Sequence, residues 1–544
     1  MPCRLVFSAL LSLSLLGAAL GSDAQALPTL KSPDIRYGPL TPAQMHEDLA
    51  VLQRALTEIH PGLYRYNTPA EISARFAAIQ ANAAKPASEA EFFRSLAQLV
   101  STIRCGHTYL NPYNQRDSLM ASLFGQRTYL PIYFSVVNHR FIVTQNLSSQ
   151  PLAPGSEIKR INGVPVSRII ATLLTVTTAD GNGTQNYRLN SIGLASDDKY
   201  PLFDLYFPLF FPLSSPEFQV DAIDSVTGKS VSLRVPAMTK PERMAALAAR
   251  GGALSESGWR FSTLNPETAC LKLGSFVTFH AKQDYKVFLA DAFAQMREKH
   301  TKYLIVDLRG NSGGDEDMGA AVASYLADRP IPCYDKKVRF VRTVKIDDAL
   351  FRCLDTYDDT LSRRVQVSLA PTHFKASANG LYEPLDRPAC APLLPAADHF
   401  QGKVYVLEDA SNASAAFQFL RAVQDNKLAT LVGQESGGNK QGINGDSFFF
   451  LSLPNSHIEV DIPVFYEAPP TPQPDEGIKP DVVVPVSIPD IIKHIDTDMD
   501  VVMHLIAQSR TTQFPQAMPS QSAARADTSA NLGRVPKSPL NPPP

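Results

Sequence analysis

The chain has 544 residues, enough for three or four domains. With 44% hydrophobic and 19% charged residues it can fill large cores, which excludes a wholly disordered chain. Lys and Arg number 51 against 53 Asp and Glu, and a net charge of -2 carries no basic excess of the kind nucleic-acid binding leaves.

Residues 1–26 read as a secretory signal peptide: Arg4, then an apolar run from Leu5 to Ala19, then a small-x-small site at Ala24-Gln25-Ala26. No later stretch of 18 apolar residues follows, so the mature chain is expected to be soluble and exported, to a periplasm or to the outside. Residues 27–112 predict a helical subdomain. Thr41-Pro42-Ala43-Gln44 orders an N-cap, a first-turn proline and a capping-box glutamine, and Met45, Leu49, Leu52, Leu56 and Ile59 then share one face. Thr68 with Glu71 and Ser88 with Glu91 repeat the signal. Residues 113–240 predict a β-rich module, from the aromatic and β-branched Tyr129–Val143 to the alternating Val231–Val235. Its Phe- and Pro-rich stretch, Phe203 to Phe211, is a candidate for core or for a groove lining.

Residues 241–508 predict an α/β core. Leu304–Leu308 and Val404–Leu407 are near-continuous apolar strands, helices are expected over Met318–Leu326 and Ala415–Gln424, and Leu428–Val432 makes a third strand. The Pro-rich 333–395 stretch is a candidate excursion or lid. Residues 509–544, rich in Ser, Ala, Pro, Thr and Gln, are expected to be disordered. Beyond Cys3 five cysteines remain, too few for a disulfide scaffold; Cys333 and Cys353 are the candidate bridge around the excursion. The lack of any CxxC argues against structural zinc.

Four loops can carry chemistry. Arg309-Gly-Asn-Ser-Gly-Gly314 follows a buried-type strand and can turn backbone N–H groups toward negative charge. It lacks the order of a Walker or dinucleotide loop. Asp409–Ala416 puts Ser414 in the first turn of a helix, where a nucleophile finds anion-stabilising amides, although Ser411 and Ser414 can equally serve as caps. Cys105-Gly106-His107-Thr108 offers a base, and Ser436–Lys440 with Asp475-Glu476-Gly477 offers a lysine and two acids. G-x-S-x-G, H-E-x-x-H and K-T-G are all absent.

Taken in order, His107-Thr108, Pro154–Ile158 with Ile161-Asn-Gly163, Val306–Gly314, Ser414-Ala-Ala416, Val432-Gly433 with Ser436–Gly438, and Gly477–Asp481 resemble the serine peptidase family of the C-terminal processing (tail-specific) proteases and the tricorn core protease, over about residues 40–500. The resemblance implies an α/β fold with a ClpP/crotonase-like βαβ protease core, an N-terminal helical subdomain and a PDZ-like β-rich module that captures extended chain ends by strand addition. It implies Ser414 as nucleophile and the amides of Gly313 and Ala415 as the oxyanion hole.

The family divides over the base. The lysine of the processing branch falls on Asn439, with Lys440 one residue late, and Phe417 stands where that branch has Glu. The histidine of the tricorn-like branch falls on His107, with Asp475 or Glu476 as its acidic partner. The expectation is therefore a Ser-His-acid peptidase acting on exported proteins or peptides, without metal or organic cofactor. The alternatives are a Ser-Lys protease using Lys440, a non-catalytic peptide-binding relative, or an esterase using the same serine.

Overall fold

A computed structural model describes residues 38–513 apart from 195–199, 251–257, 280, 335, 359–360, 362–372 and 387–389. The signal-peptide expectation lies outside the described residues. Three capping boxes start the first helices as expected. Thr41 with Gln44 opens α1 (Pro42–Ile59), Thr68 with Glu71 opens α2 (Pro69–Asn82), and Ser88 with Glu91 opens α3 (Glu89–Ser101). In each, the hydroxyl accepts the amide three residues on while the longer side chain returns to the cap amide. Met45, Leu49, Leu52, Leu56 and Ile59 are all buried on one face of α1. The short α4 (Asp117–Phe124) leads into the β module.

That module is antiparallel: β1 (Ile132–Val137), β2 (Arg140–Asn146), β3 (Glu157–Ile161), the two-residue β4 (Val164–Pro165), then α5 (Val166–Leu173), α6 (Gln185–Ile192), α7 (Leu202–Phe210), β5 (Glu217–Ile223) and β6 (Ser230–Pro236). The sheet order is β1-β2-β3-β5-β6, with β4 on β3. The Phe-rich stretch is the helix α7. Phe203 and Phe207 are buried and stack on each other, and Phe203 meets Phe134 and Phe141 edge-on, so its role is core. The outer edge of β1 is bridged by Leu194, in the segment after α6, through two backbone hydrogen bonds with Phe134.

After α8 (Lys240–Ala248) the core begins with β7 (Trp259–Asn265), β8 (Thr268–Leu273), α9 (Tyr285–Glu298), β9 (Tyr303–Asp307) and α10 (Glu316–Leu326). An excursion follows, holding β10 (Val338–Phe340), α11 (Asp348–Phe351), β11 (Leu354–Asp355), β12 (Phe374–Ala376) and β13 (Tyr382–Pro384). The chain returns through β14 (Lys403–Glu408), α12 (Ser414–Asn426), β15 (Thr430–Gly433), the long hairpin β16 (Ile443–Ser452) and β17 (Glu459–Ala468), β18 (Val482–Val483), α13 (Ile488–Lys493) and α14 (Thr497–Gln513). The main sheet runs β18-β15-β14-β9-β8-β7, parallel except for the β7–β8 pair; a second, antiparallel sheet runs β10-β17-β16-β11.

Side-chain alternation explains why β9 and β14 are apolar throughout. Leu304, Val306, Val404 and Val406 face a cluster with Phe293, Val322, Phe419 and Leu420 from α9, α10 and α12. Ile305, Tyr405 and Leu407 face the other way, onto Val502 and Ile506 of α14. Truncating a fully buried ring such as Phe419 to Ala costs about 3–5 kcal/mol. Helix α14 runs on to Gln513, past the expected start of the tail at 509, and residues 514–544 lie outside the described residues.

The bridge around the excursion is Cys333–Cys390, not Cys333–Cys353; Cys353 is a free thiol, as are the buried Cys105 and Cys270. Among the described residues no helix is long and apolar enough to cross a membrane.

Candidate active site

Ser414 stands where β14 turns into α12, at the C-terminal edge of the parallel strands, where open α/β sheets collect their ligands. Its φ is +51°, a left-handed conformation that costs a β-carbon residue about 1–3 kcal/mol and persists only where its surroundings enforce it. The enforcement is visible. Asn412 is wholly buried; its Nδ2 donates to Leu308 O (2.7 Å) and Asn311 O (3.0 Å), and its Oδ1 accepts the Asp409 amide (2.8 Å). Asp409 in turn accepts the amides of Ser411 (2.9 Å) and Gly310 (3.1 Å). The loops after β9 and β14 are thereby stitched into one unit.

The N-terminus of α12 has Ala413 at its cap and no side-chain cap, so first-turn amides stay unclaimed at the positive end of the helix. The amide of Ala415 donates to no acceptor among the described residues. Capping is thus not what the serines do here: Ser411 Oγ accepts from Asn190 Nδ2 of α6 (3.0 Å). Gly313 presses against this turn with φ +112°, and a β-carbon on it would lie 2.7 Å from Ser414 Cβ and 3.0 Å from Ala415 N. Its amide is held by Asn311 Oδ1 at 2.8 Å. Ser414, Gly313 and Ala415 are therefore together, as the sequence suggested. Asn311 and Asn412, which build the support, were missed; their only signal was an Asn inside each small-residue loop.

The loop after β15 docks on the same turn. The amides of Gly437 and Gly438 both donate to Asn412 O (2.7 and 3.0 Å), and a β-carbon on Gly438 would collide with the Phe417 ring. Lys440 follows two residues on in the same loop. Its Nζ, one-fifth exposed, meets Glu476 Oε1 at 3.1 Å, and its amide donates to Glu476 O at 2.9 Å. Glu476 also pairs with Lys479, and the hydrogen bonds from Lys479 and Lys440 hold its carboxyl below the usual range. Asn439 is wholly buried, donating to Asp475 Oδ1 (2.6 Å) and Asp180 O (3.1 Å). For Asp475, burial pushes the carboxyl upward, but hydrogen bonds from Asn439 and from the Gly183 and Asn182 amides outweigh it and leave the group below its ordinary value.

His107 packs beside β16. Its ring lies 5.7 Å from the Phe448 ring of β16, and its Nδ1 is buried without a hydrogen-bond partner among the described residues. Its neighbour Thr108 is held by the buried His60, whose Nδ1 accepts the Gly62 amide (3.0 Å), leaving Nε2–H for Thr108 Oγ1 (2.8 Å). Burial, then the Arg342 charge, pushes the His60 imidazole down to about 3, so it stays neutral. Among the described residues no hydrogen bond joins His107 to Asp475 or Glu476; the two acids are engaged by backbone amides, Asn439 and lysines.

Residues 267–484 match the model of peptidase family S41. No curated protein matches the chain. Among solved structures it is similar to mature CPAF complexed with lactacystin, with a TM-score of 0.59 at 16% identity over 86% of this chain and 98% of that one. It is also similar to mature CPAF alone, with a TM-score of 0.58 at 15% identity over 86% and 98%. These likenesses are of fold. The family characteristically uses a Ser-Lys dyad, and this overturns the expected Ser-His-acid triad in favour of the lysine alternative. Through residues 267–484 the chain belongs to peptidase family S41, and it is a serine peptidase.

Proposed function

We propose that the protein is an endopeptidase or processing peptidase that cleaves exported proteins or peptides, with Ser414 as nucleophile and Lys440 as base. The observation that carries the nucleophile is the left-handed Ser414 on an uncapped helix N-terminus, wedged between Gly313 and Ala415. Strained strand-to-helix turns of this kind present a serine Oγ at the top of a sheet in other hydrolases. The family match supports the lysine. The βαβ arrangement supports a ClpP/crotonase-like core, with the 113–240 segment as a PDZ-like module whose α6 reaches the nucleophile loop through Asn190. The apolar leader from Leu5 to Ala19 supports export.

In this reading Lys440 Nζ loses a proton to solvent, leaves Glu476 and turns to Ser414 Oγ as substrate enters and excludes water. The neutral amine takes the Oγ proton as Oγ attacks the peptide carbonyl. The free Ala415 amide meets the oxyanion, and the Gly313 amide turns to it from Asn311. The resulting ammonium gives its proton to the leaving amine. A water, deprotonated by the same amine, then releases the acyl group.

The test is hydrolysis of casein and peptides by mature protein beside Ser414→Ala, Lys440→Met and His107→Ala. The first two should lose activity by about 10³-fold or more and His107→Ala should keep most of it. Full activity in Ser414→Ala would refute the nucleophile; loss in His107→Ala with retention in Lys440→Met would refute the base.

A further inference from the structure

Polar side chains from four separate segments meet beside the nucleophile helix. Lys337, four residues after the disulfide-bonded Cys333, has only 5% of its side chain exposed. Its Nζ lies 2.9 Å from Glu316 Oε2 and 2.5 Å from Glu467 Oε1. Gln418 Nε2 donates to the same two carboxylates, to Glu316 Oε1 at 2.8 Å and to Glu467 Oε2 at 3.1 Å. Arg339 adds contacts at 3.3 Å to both Glu467 and Asp446.

The positions of these groups matter more than their number. Glu316 opens α10, two residues beyond Gly314, and Gln418 lies one turn beyond Ser414 on α12. The network therefore cross-ties the two helix starts that present Gly313 and Ala415. The third tie is β17, through Glu467, and the cation at the centre comes from the excursion closed by Cys333–Cys390. Buried ion clusters are a poor source of stability, because desolvation offsets most of the attraction. What such a cluster supplies is a fixed relative placement of its parts.

We infer that Lys337 is a positioning residue for hydrolysis. It holds the starts of α10 and α12 at the spacing that lets two backbone amides serve one oxyanion, and it makes activity depend on the seating of the excursion. The inference rests on the Ser414 reading.

Lys337→Met tests it. Misplacement of catalytic groups by about an ångström can cost on the order of 100-fold, so kcat should fall about 10- to 100-fold while KM stays nearly constant. The labelling rate of Ser414 by a peptidyl phosphonate should fall by the same factor. The double variant Lys337→Met/Glu467→Met, which removes the stranded charge, should regain Tm without regaining kcat. Recovery of kcat along with Tm would show that Lys337 serves stability alone and would overturn the inference, as would a wild-type kcat in Lys337→Met. If Lys337→Met does not fold, Gln418→Met must show the same loss of kcat, and an unchanged kcat there overturns the inference. Ser414→Ala is assayed in parallel. Hydrolysis surviving in it would overturn the nucleophile assignment and this inference together, whereas an inert Ser414→Ala beside a fully active Lys337→Met overturns the inference alone.

Discussion

Gly313→Ala should separate catalytic from structural roles in the loop after β9. The added methyl would sit 2.7 Å from Ser414 Cβ and 3.0 Å from both Ala413 O and Ala415 N, and none of these is the free end of a flexible side chain. The backbone there has φ +112°, which alanine adopts only at a cost of about 1–3 kcal/mol. The larger effect is on rate. Relieving the collision moves either the Gly313 amide or the Ser414 turn, and loss of one oxyanion donor costs about 3–4 kcal/mol in the transition state, or roughly 10²–10³ in kcat. Gly163 in the β3–β4 turn is the control: its φ is +74° and a β-carbon there meets nothing within 4 Å. Gly163→Ala should lose about 1 kcal/mol of stability and no activity. The assay is kcat on a chromogenic peptide, read beside denaturant unfolding of both variants. If Gly313→Ala kept kcat within a few-fold of wild type while remaining folded, the placement of the oxyanion site would be wrong.

Other outcomes can be checked alongside. Glu476→Gln removes the carboxylate that meets Lys440 Nζ at 3.1 Å, so kcat/KM should change several-fold while the fold is kept; an unchanged kcat/KM contradicts the role given to Lys440. Cys390→Ser opens a loop of 57 residues, worth up to about 4 kcal/mol by chain entropy, and should lower Tm under non-reducing conditions, whereas Cys353→Ser should leave it within about 1 kcal/mol; the reverse pattern would contradict the pairing. Glu408 is wholly buried, and neither carboxylate oxygen has a hydrogen-bond partner among the described residues. Burial, then the charges of Asp481, Asp409 and Glu435, push its carboxyl from 4.5 to about 9. A raised folded-state value means stability that is fully present below pH 4.5 and lost as pH climbs through 9. Glu408→Gln, which mimics the protonated acid, should therefore match wild type near pH 4.5 and exceed it increasingly toward pH 9 in urea melts; parallel pH profiles would refute this.

What the sequence made legible was short-range. The three capping boxes pair residues three apart, and Thr41–Gln44, Thr68–Glu71 and Ser88–Glu91 all form. The apolar runs of β9 and β14 and the small-residue turn before Ser414 are also local signals, and they brought Ser414 and Gly313 together at one turn. What stayed hidden depends on long-range approach. Cys333 pairs with Cys390 rather than the nearer Cys353 because chain spacing does not report distance in the fold. Asp475 and Glu476 were expected near His107, yet amides at 182 and 183, Asn439 and the lysines reach them first. The helix over 202–210 was obscured by its own Pro208 and aromatic density, a composition that reads equally as strand, core or groove. Nothing local in Asn190 signals its bond to Ser411, 221 residues away.

The most direct measurement is intact-mass and peptide mapping of mature protein treated with a serine-directed phosphonate, with Ser414→Ala treated in parallel. The account predicts one adduct, on Ser414, appearing in step with loss of peptide hydrolysis and absent from the variant. An adduct on another residue, or hydrolysis persisting in Ser414→Ala, would contradict it.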